Sequence, residues 1–461
     1  MITSKTMAPH DNPTLSLAKS ETEAPGEDCV VHSGQQTDPA HSWRLLLFTV
    51  GSLLLANAGQ WLLFHLLHWG NAGTLKGDLQ SFLHMHTWTD SWLPMMQSVD
   101  YFRAHPELPI YDAPLYDTLI YSLASIVPLW LLKGMGMGDE TMLRMLAATS
   151  WLALVGVAAL ALLLGRSLLA KRHTRLGWPS VLAVCAAVVF CYPLLKGYSL
   201  GNAQTFLSFG FTAMLLLWTK GKERAGGATA ALLAFVKPQY VLLLVWMAVR
   251  RKWNAAAAFF ATSLLLLGLS TLIFGWSNNL DYLRVLAGLS HKAQSHYANQ
   301  SMFGTLNRVI GNGENISYTP LLYTPYIRWV YLATVATAVV LVGGVLLFPW
   351  GKLRGSTGDL AAMGLVSVAA SPMAWEHHYG IVCGVLAWVW FAYGCWQQKR
   401  AWLLGLSAFL TMNALVGFNR LAPHHGWNVL QSYMYLGALL LVAVLMRTAR
   451  AVTRGESNPA L

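Results

Sequence analysis

From residue 43 onward, long apolar runs alternate with short polar segments. Most of these runs are about 15 to 25 residues long, close to the ~20 apolar residues with which a helix crosses a bilayer. The pattern therefore predicts an all-α polytopic membrane protein. The apolar runs are 44–67, 142–164, 181–198, 206–218, 254–276, 329–348, 360–374, 380–396, 402–418 and 429–446.

Two further apolar stretches do not fit a single crossing. Residues 226–249 lie between two basic clusters, are too short for two full crossings, and contain Pro238, which breaks a helix. We expect a hairpin of two short helices that places Lys237 part-way through the membrane. Residues 114–133 are either re-entrant or a span at which the usual distribution of basic residues fails. The expected total is about 11 to 13 transmembrane helices.

The basic residues indicate the orientation of the chain. It has 31 Lys and Arg against 20 Asp and Glu, a net charge of +11, and most basic residues stand in short clusters such as 166–175 and 250–252. Such clusters are typical of cytoplasmic loops, so the excess charge does not indicate a nucleic-acid partner. Two long loops, 68–117 and 277–326, then emerge on the extracytoplasmic side.

The composition agrees with a membrane protein. Hydrophobic residues make up 55% of the chain and charged residues 11%, whereas soluble domains carry about 25% charged residues, so a soluble enzyme is excluded. We expect a disordered cytoplasmic tail (1–42), a transmembrane domain (43–447) and a second cytoplasmic tail (448–461). The expected location is the inner membrane of a bacterium. The five cysteines lack ligand spacing and are interpreted as structural thiols.

Polar residues collect near the extracytoplasmic ends of the predicted spans. Because polar groups are costly at membrane depth, this concentration predicts a functional site. A carboxylate can act as a general base there and cations can stabilise a leaving phosphate, which suits transfer from a phosphate-bearing donor. The alternatives without a catalytic role are a helix N-cap for Asp78 and a snorkelling side chain for Lys237. The candidates are Asp78, Asn202, Gln204, Lys237, Asn299, Gln300, Arg308, Trp375, Glu376, His377 and His378.

The order of these pieces resembles glycosyltransferase family 87, whose members depend on polyprenol-phosphate sugars and belong to the GT-C superfamily. The similarity extends from Asp78 to His378, over most of the chain. The resembling pieces are 77–78, 111–115, 201–204, 233–238 with 250–253, 299–301 with Arg308, and 371–378.

The resemblance implies a GT-C-type helix bundle and an inverting transfer of a sugar to a lipid or glycan acceptor at the outer leaflet. The expected donor is a polyprenyl-phosphate sugar, with mannose as the leading choice and a pentose as the alternative. Asp78 would be the general base and Asp100 the second choice, while His377 and His378 would line the site. Arg308 and Lys237 would hold the donor phosphate, and neither a metal ion nor another cofactor is expected.

Two other functions remain open at this stage. A flippase or other transporter of lipid-linked sugars would need polar groups at mid-membrane and routes to both sides, whereas the candidates here gather on one face. A ligase of a larger glycan at the outer leaflet would share the architecture but would use a pyrophosphate donor.

Overall fold

The computed structural model describes residues 39–66, 75–114, 119–171, 175–292, 294–319, 323–393, 401–419 and 426–454. These residues are mostly helical, and an isolated bridge between Asn299 and Trp375 is the β-type pairing among them. The predictions for the tail before residue 39 and for residues 455–461 lie outside the described residues. The helices are α1 (Pro39–Leu66), α2 (Leu75–Leu83), α3 (Trp92–Ala104), α4 (Leu123–Gly134), α5 (Asp139–Ala170), α6 (Trp178–Val189), α7 (Tyr192–Ser199), α8 (Gln204–Thr219), α9 (Glu223–Val236), α10 (Leu242–Val249), α11 (Trp253–Phe274), α12 (Trp276–His291), α13 (Met302–Val309), α14 (Arg328–Leu347), α15 (Thr357–Ala369), α16 (Val382–Tyr393), α17 (Ala401–Met412), α18 (Val416–Asn419) and α19 (Tyr433–Thr453).

The apolar helices form one bundle whose interior is built on α15 and α16. Every residue of α15 is buried, as are all residues of α16 except the last, because helices pack on all their sides. Helices α5, α8, α10, α14 and α19 pack on this pair, and α11 and α14 bury little of their apolar length inside the bundle. Apolar surface that faces outward on such helices suits a lipid environment.

By length and composition, four of the described helices can cross a membrane: α5, α11, α14 and α19 with the turn before it. The run 181–198 is not one straight helix, because it bends by 48° at the break between α6 and α7. Six shorter apolar helices accompany these. The prediction of an all-α polytopic membrane protein is confirmed, and the figure of 11 to 13 spans stays a prediction.

The stretch 226–249 forms the expected hairpin. Helix α9 ends at Val236, a 3-10 turn covers Pro238–Val241, and α10 returns to Val249. The 14 residues of α9 rise about 21 Å, less than the ~30 Å thickness of a hydrocarbon core. The connection at Lys237 therefore lies inside the bundle rather than at its far surface.

Helix α4 corresponds to the second ambiguous stretch. Its first turn contacts the hairpin, since Ser122 donates a hydrogen bond from its hydroxyl to the carbonyl oxygen of Phe235. Its last turn lies beside α3 of the first long loop, because Lys133 makes ion pairs with Asp100 and with Asp139, the latter at 2.9 Å. The helix thus begins beside the hairpin and ends beside the first long loop, and the re-entrant alternative stays a prediction.

Candidate functional site

A cavity of about 1180 Å³ lies where the two long loops meet the bundle. We divide its wall into three parts, each defined by its residues. The polar centre comprises Asp90, Tyr192, Lys196, Asn202, Lys237, Glu376, His377 and His378. The apolar branch comprises Leu242 with Ala338, Val339, Val342, Gly343 and Leu346, and the aromatic rim comprises His296, Tyr297, Tyr318, Tyr323 and Trp375.

A glycine turn holds the first long loop against the polar centre. The backbone N–H groups of residues 88, 90 and 91 donate to the carbonyl oxygens of 199, 200 and 201 at 2.7, 2.9 and 3.1 Å. Gly201 has φ of +66°, a left-handed conformation that side chains disfavour. A Cβ atom on this residue would lie 1.8 Å from the carbonyl oxygen of Trp88, so only glycine allows the loop to dock this closely.

This docking places a carboxylate in the cavity. Asp90 lines the wall, and its Oδ2 accepts a hydrogen bond from Asn202 Nδ2 at 2.5 Å. The side chain of Asn202 also accepts from the backbone N–H of Gln204 at 2.8 Å and so starts α8. Gln204 does not line the cavity but donates to the carbonyl oxygen of His378 at 3.4 Å, which ties α8 to the histidine pair.

Lys237 and His378 form the contact at the centre of the cavity. Lys237 Nζ lies 2.9 Å from His378 Nε2 and 5.5 Å from the ring centre of Tyr121. Burial lowers the pKa of His377 and His378 well below the ordinary value, and the charge of Lys237 lowers both further. Both imidazoles are therefore neutral at pH 7, and the ammonium group of Lys237 donates a hydrogen bond to His378 Nε2. Among the described residues, His377 Nε2 and His378 Nδ1 are buried without a hydrogen-bond partner.

Asp78 lies behind the polar centre rather than on its surface. Its side chain is 9% exposed, accepts a hydrogen bond from the hydroxyl of Ser199, and lies 3.6 Å from Lys196 Nζ. Burial raises the pKa of Asp78, while Lys196 and the hydrogen bond of Ser199 oppose the shift. Lys196 itself lines the cavity, so the carboxylate of Asp78 borders the cavity through this lysine.

Glu376 is a second buried carboxylate on the same side. It accepts hydrogen bonds from the hydroxyl groups of Tyr192 at 2.9 Å and Tyr433 at 3.1 Å. Its burial raises its pKa, and the charge of Lys196 partly opposes this. These contacts hold Glu376 and the following histidines against α7, which packs on the 3-10 turn Glu376–Ile381.

The amide side chains of the second long loop position the 375–378 segment from behind. Asn299 Oδ1 accepts from the backbone N–H of Ala374 at 3.2 Å, and the carbonyl oxygen of Ala374 accepts from the backbone N–H of Gln300 at 2.6 Å. Gln300 Nε2 also donates to the carbonyl oxygen of Gln431 at 2.5 Å. Neither amide lines the cavity. Trp375 does, and its ring centre lies 5.9 Å from that of Tyr318 in the aromatic rim.

Two predicted candidates have partners outside the cavity. Arg308 is 1% exposed, and its guanidinium donates to the carbonyl oxygens of residues 295, 296 and 299 at 3.3, 3.0 and 2.9 Å and to Ser432 Oγ at 2.6 Å. It thereby fastens the second long loop to the start of α19. Asp100 pairs with Lys133, as described above, and does not line the cavity.

Three groups of the polar centre were not among the sequence candidates. Lys196 had a signal that could have singled it out, because it is a lysine inside an apolar run. Asp90 is one of several acids in the first long loop, and only the docking at Gly201 distinguishes it. Tyr192 looks like one of many aromatic residues along the spans. In the part of the chain that the structure describes, no cluster of three His, Cys, Asp or Glu side chains is arranged for a metal ion.

Fold and site together define a class of protein: a helical membrane protein in which a polar centre of two lysines and two carboxylates opens into an apolar branch. The model of glycosyltransferase family 87 matches residues 120–374, more than half of the chain, and the chain belongs to this family. It is therefore a membrane glycosyltransferase, and the resemblance seen in the sequence is confirmed. No curated protein and no solved structure matches the chain. Asp78 and the residues 376–378 lie outside the matched range, so their roles rest on geometry.

Proposed function

We propose that the protein transfers a sugar, mannose in the first instance, from a polyprenyl phosphate to a hydroxyl group of a lipid or glycan acceptor, with inversion. The site would face the extracytoplasmic side of a bacterial inner membrane. One observation carries the proposal: the polar centre, which holds the ammonium groups of Lys196 and Lys237, continues directly into the apolar branch along α14. A lipid phosphate has the same two parts, an anionic head and a hydrocarbon chain.

The cations of the polar centre suit the leaving group. Lys237 and Lys196 both line the cavity, and an ammonium group stabilises the negative charge that develops on a departing phosphate. Buried imidazoles with unpartnered nitrogens at His377 and His378 can hydrogen-bond to the phosphate or to sugar hydroxyls. Arg308 was expected to share this role, but it does not line the cavity, and its two terminal nitrogens donate to the backbone of the second long loop and to Ser432, so we assign the phosphate to the two lysines.

In the proposed mechanism Asp78 takes the proton of the acceptor hydroxyl, whose oxygen attacks the anomeric carbon of the donor. The bond between that carbon and the phosphate oxygen breaks on the opposite side, and polyprenyl phosphate leaves. A pKa that burial raises above the ordinary value of an aspartate makes the carboxylate a stronger base. A hydroxyl group must then reach Asp78 past Lys196, which separates it from the cavity.

Asp90 is the competing carboxylate, because it lines the cavity directly. Full-length protein purified in detergent, given labelled polyprenyl-phospho-mannose and the corresponding pentose donor, tests both assignments. We expect release of polyprenyl phosphate, a fall of about 100-fold or more for Asp78→Asn, and a smaller fall for Asp90→Asn. A severe loss only in Asp90→Asn would move the base to Asp90. If no polyprenyl-phosphate sugar is consumed, the donor class is wrong.

The transporter alternative requires a route to the opposite side, which the described residues oppose. Beyond Leu346 at the deep end of the cavity, Arg250 pairs with the buried Asp359 through Nε at 2.5 Å and Nη2 at 3.1 Å. Arg250 also donates to the carbonyl oxygens of Val345 and Leu346 at 3.0 and 2.9 Å. This cluster joins α10, α14 and α15. Donor consumption in detergent, where no membrane separates two compartments, would exclude transport as the sole activity.

A further inference from the structure

One face of α14 forms most of the apolar branch. The lining residues recur at spacings of one, three and four along the helix, as expected for a single helical face. They lie opposite Leu242 of α10 and continue toward Val236 and Pro238 beside the polar centre. These α14 residues are Ala338, Val339, Val342, Gly343 and Leu346.

Gly343 marks open space on this face. A Cβ atom built on it would meet no other atom within 4 Å, so the cavity next to this residue is empty of protein. The neighbouring Gly344 has equally free surroundings, but it is exposed, lies about 100° further around the helix and does not line the cavity. The two glycines therefore offer the same substitution at a position that lines the cavity and at one that does not.

The length of this face limits how much of a chain it can hold. From Ala338 to Leu346 the helix rises about 12 Å, at 1.5 Å per residue. An extended isoprene unit contributes four carbon–carbon bonds of about 1.5 Å, or roughly 5 Å of length. Two to three units therefore fit between the polar centre and Leu346, whose carbonyl oxygen is tied to Arg250 at the end of the branch.

We propose that α14 binds the first two to three isoprene units of the donor along its Gly343 face, and that the remaining isoprene units do not contribute to the affinity. This rests on the proposed function, since it assumes that the lipid phosphate is the donor. It adds a binding subsite and a length limit: a short prenyl phosphate should occupy the site nearly as well as a long one.

Prenyl phosphates test the subsite without knowledge of the sugar, because they are the leaving group whatever the sugar is. The full-length protein in nanodiscs is titrated with prenyl phosphates of one to four isoprene units and with a long-chain polyprenyl phosphate. We expect the affinity to rise by about tenfold or more with each unit up to the third, since each buries several methylene equivalents, and then to level off. Affinity that keeps rising with length beyond the fourth unit, or that does not rise at all, would overturn the proposal.

Substitutions of Gly343 and Gly344 test where the prenyl chain binds. Gly343→Leu fills about the space of one isoprene unit, so it should weaken binding of the three-unit phosphate by about tenfold and leave the one-unit phosphate unchanged. Gly344→Leu, the matched control, should bind both like the wild type. Equal behaviour of the two variants would refute the placement on α14. Thermal unfolding of both variants distinguishes misfolding from lost binding.

The outcomes also separate this inference from the function on which it rests. If long-chain donors are consumed but Gly343→Leu behaves like the wild type, the donor class stands and the subsite is wrong. If neither prenyl phosphates nor polyprenyl-phosphate sugars bind, the proposed function fails first.

Discussion

The most informative perturbation is Gly201→Ala, because it alters the docking of a loop without removing any functional group. The new Cβ atom would lie 1.8 Å from the carbonyl oxygen of Trp88, whereas real contacts of this kind are essentially never below 3.0 Å, so the 88–91 segment must move by more than 1 Å. The left-handed conformation costs an alanine about 1 kcal/mol. Loss of the three backbone hydrogen bonds at about 1 kcal/mol each brings the total loss in the free energy of unfolding to about 4 kcal/mol.

A loss of this size is expected to leave the protein folded, since stabilities of about 5–15 kcal/mol are usual. The activity should suffer more, because Asp90 moves with the 88–91 segment away from Asn202, and a misplacement of about 1 Å can lower turnover about 100-fold. The measurement is donor turnover of purified protein, with thermal unfolding in parallel.

Gly136→Ala is the matched control. Gly136 also has a left-handed φ, of +81°, but a Cβ atom there would meet nothing within 4 Å. It should show the conformational cost alone, with turnover near that of the wild type. Wild-type turnover in Gly201→Ala would refute the argument that this turn positions the polar centre, and an equal loss in both variants would show that the clash with Trp88 is not the cause.

Three further predictions follow from individual contacts. Ser199→Ala removes a hydrogen bond that favours the ionised form of Asp78, so the pKa of Asp78 should rise. Because a general base must be ionised, the acid limb of the pH profile of kcat/KM should move to higher pH. A shift to lower pH would contradict this. Lys196→Ala should raise the KM for the donor by about tenfold, measured by initial rates, whereas an unchanged KM would separate this lysine from the phosphate. Arg308→Ala should cost about 3 kcal/mol or more in thermal unfolding, because four donated hydrogen bonds are lost; a raised donor KM at unchanged stability would restore the phosphate role expected from the sequence.

Residue types at membrane depth singled out several side chains that the structure brings to one cavity. Lys237 and the run 375–378 line the cavity, as expected of costly polar groups inside a bundle. Arg308 shows the limit of this reasoning, because both terminal nitrogens of its buried guanidinium donate to its own loop and to Ser432, away from the cavity. Lys237 and Arg308 are both buried cations, and only the positions of their hydrogen-bond partners distinguish them.

The sequence by itself determined the helical membrane fold, the broken hairpin at Lys237 and the membership of a glycosyltransferase family, because hydrophobic period, proline position and motif order are local properties of the chain. The tertiary structure decided which polar groups share a cavity. Asp90 reaches the polar centre only because Gly201 lets one loop dock on another, and Asp78 lies behind Lys196 because α2 packs on α7. Such relations join residues more than 100 positions apart in the chain, and no local pattern encodes them.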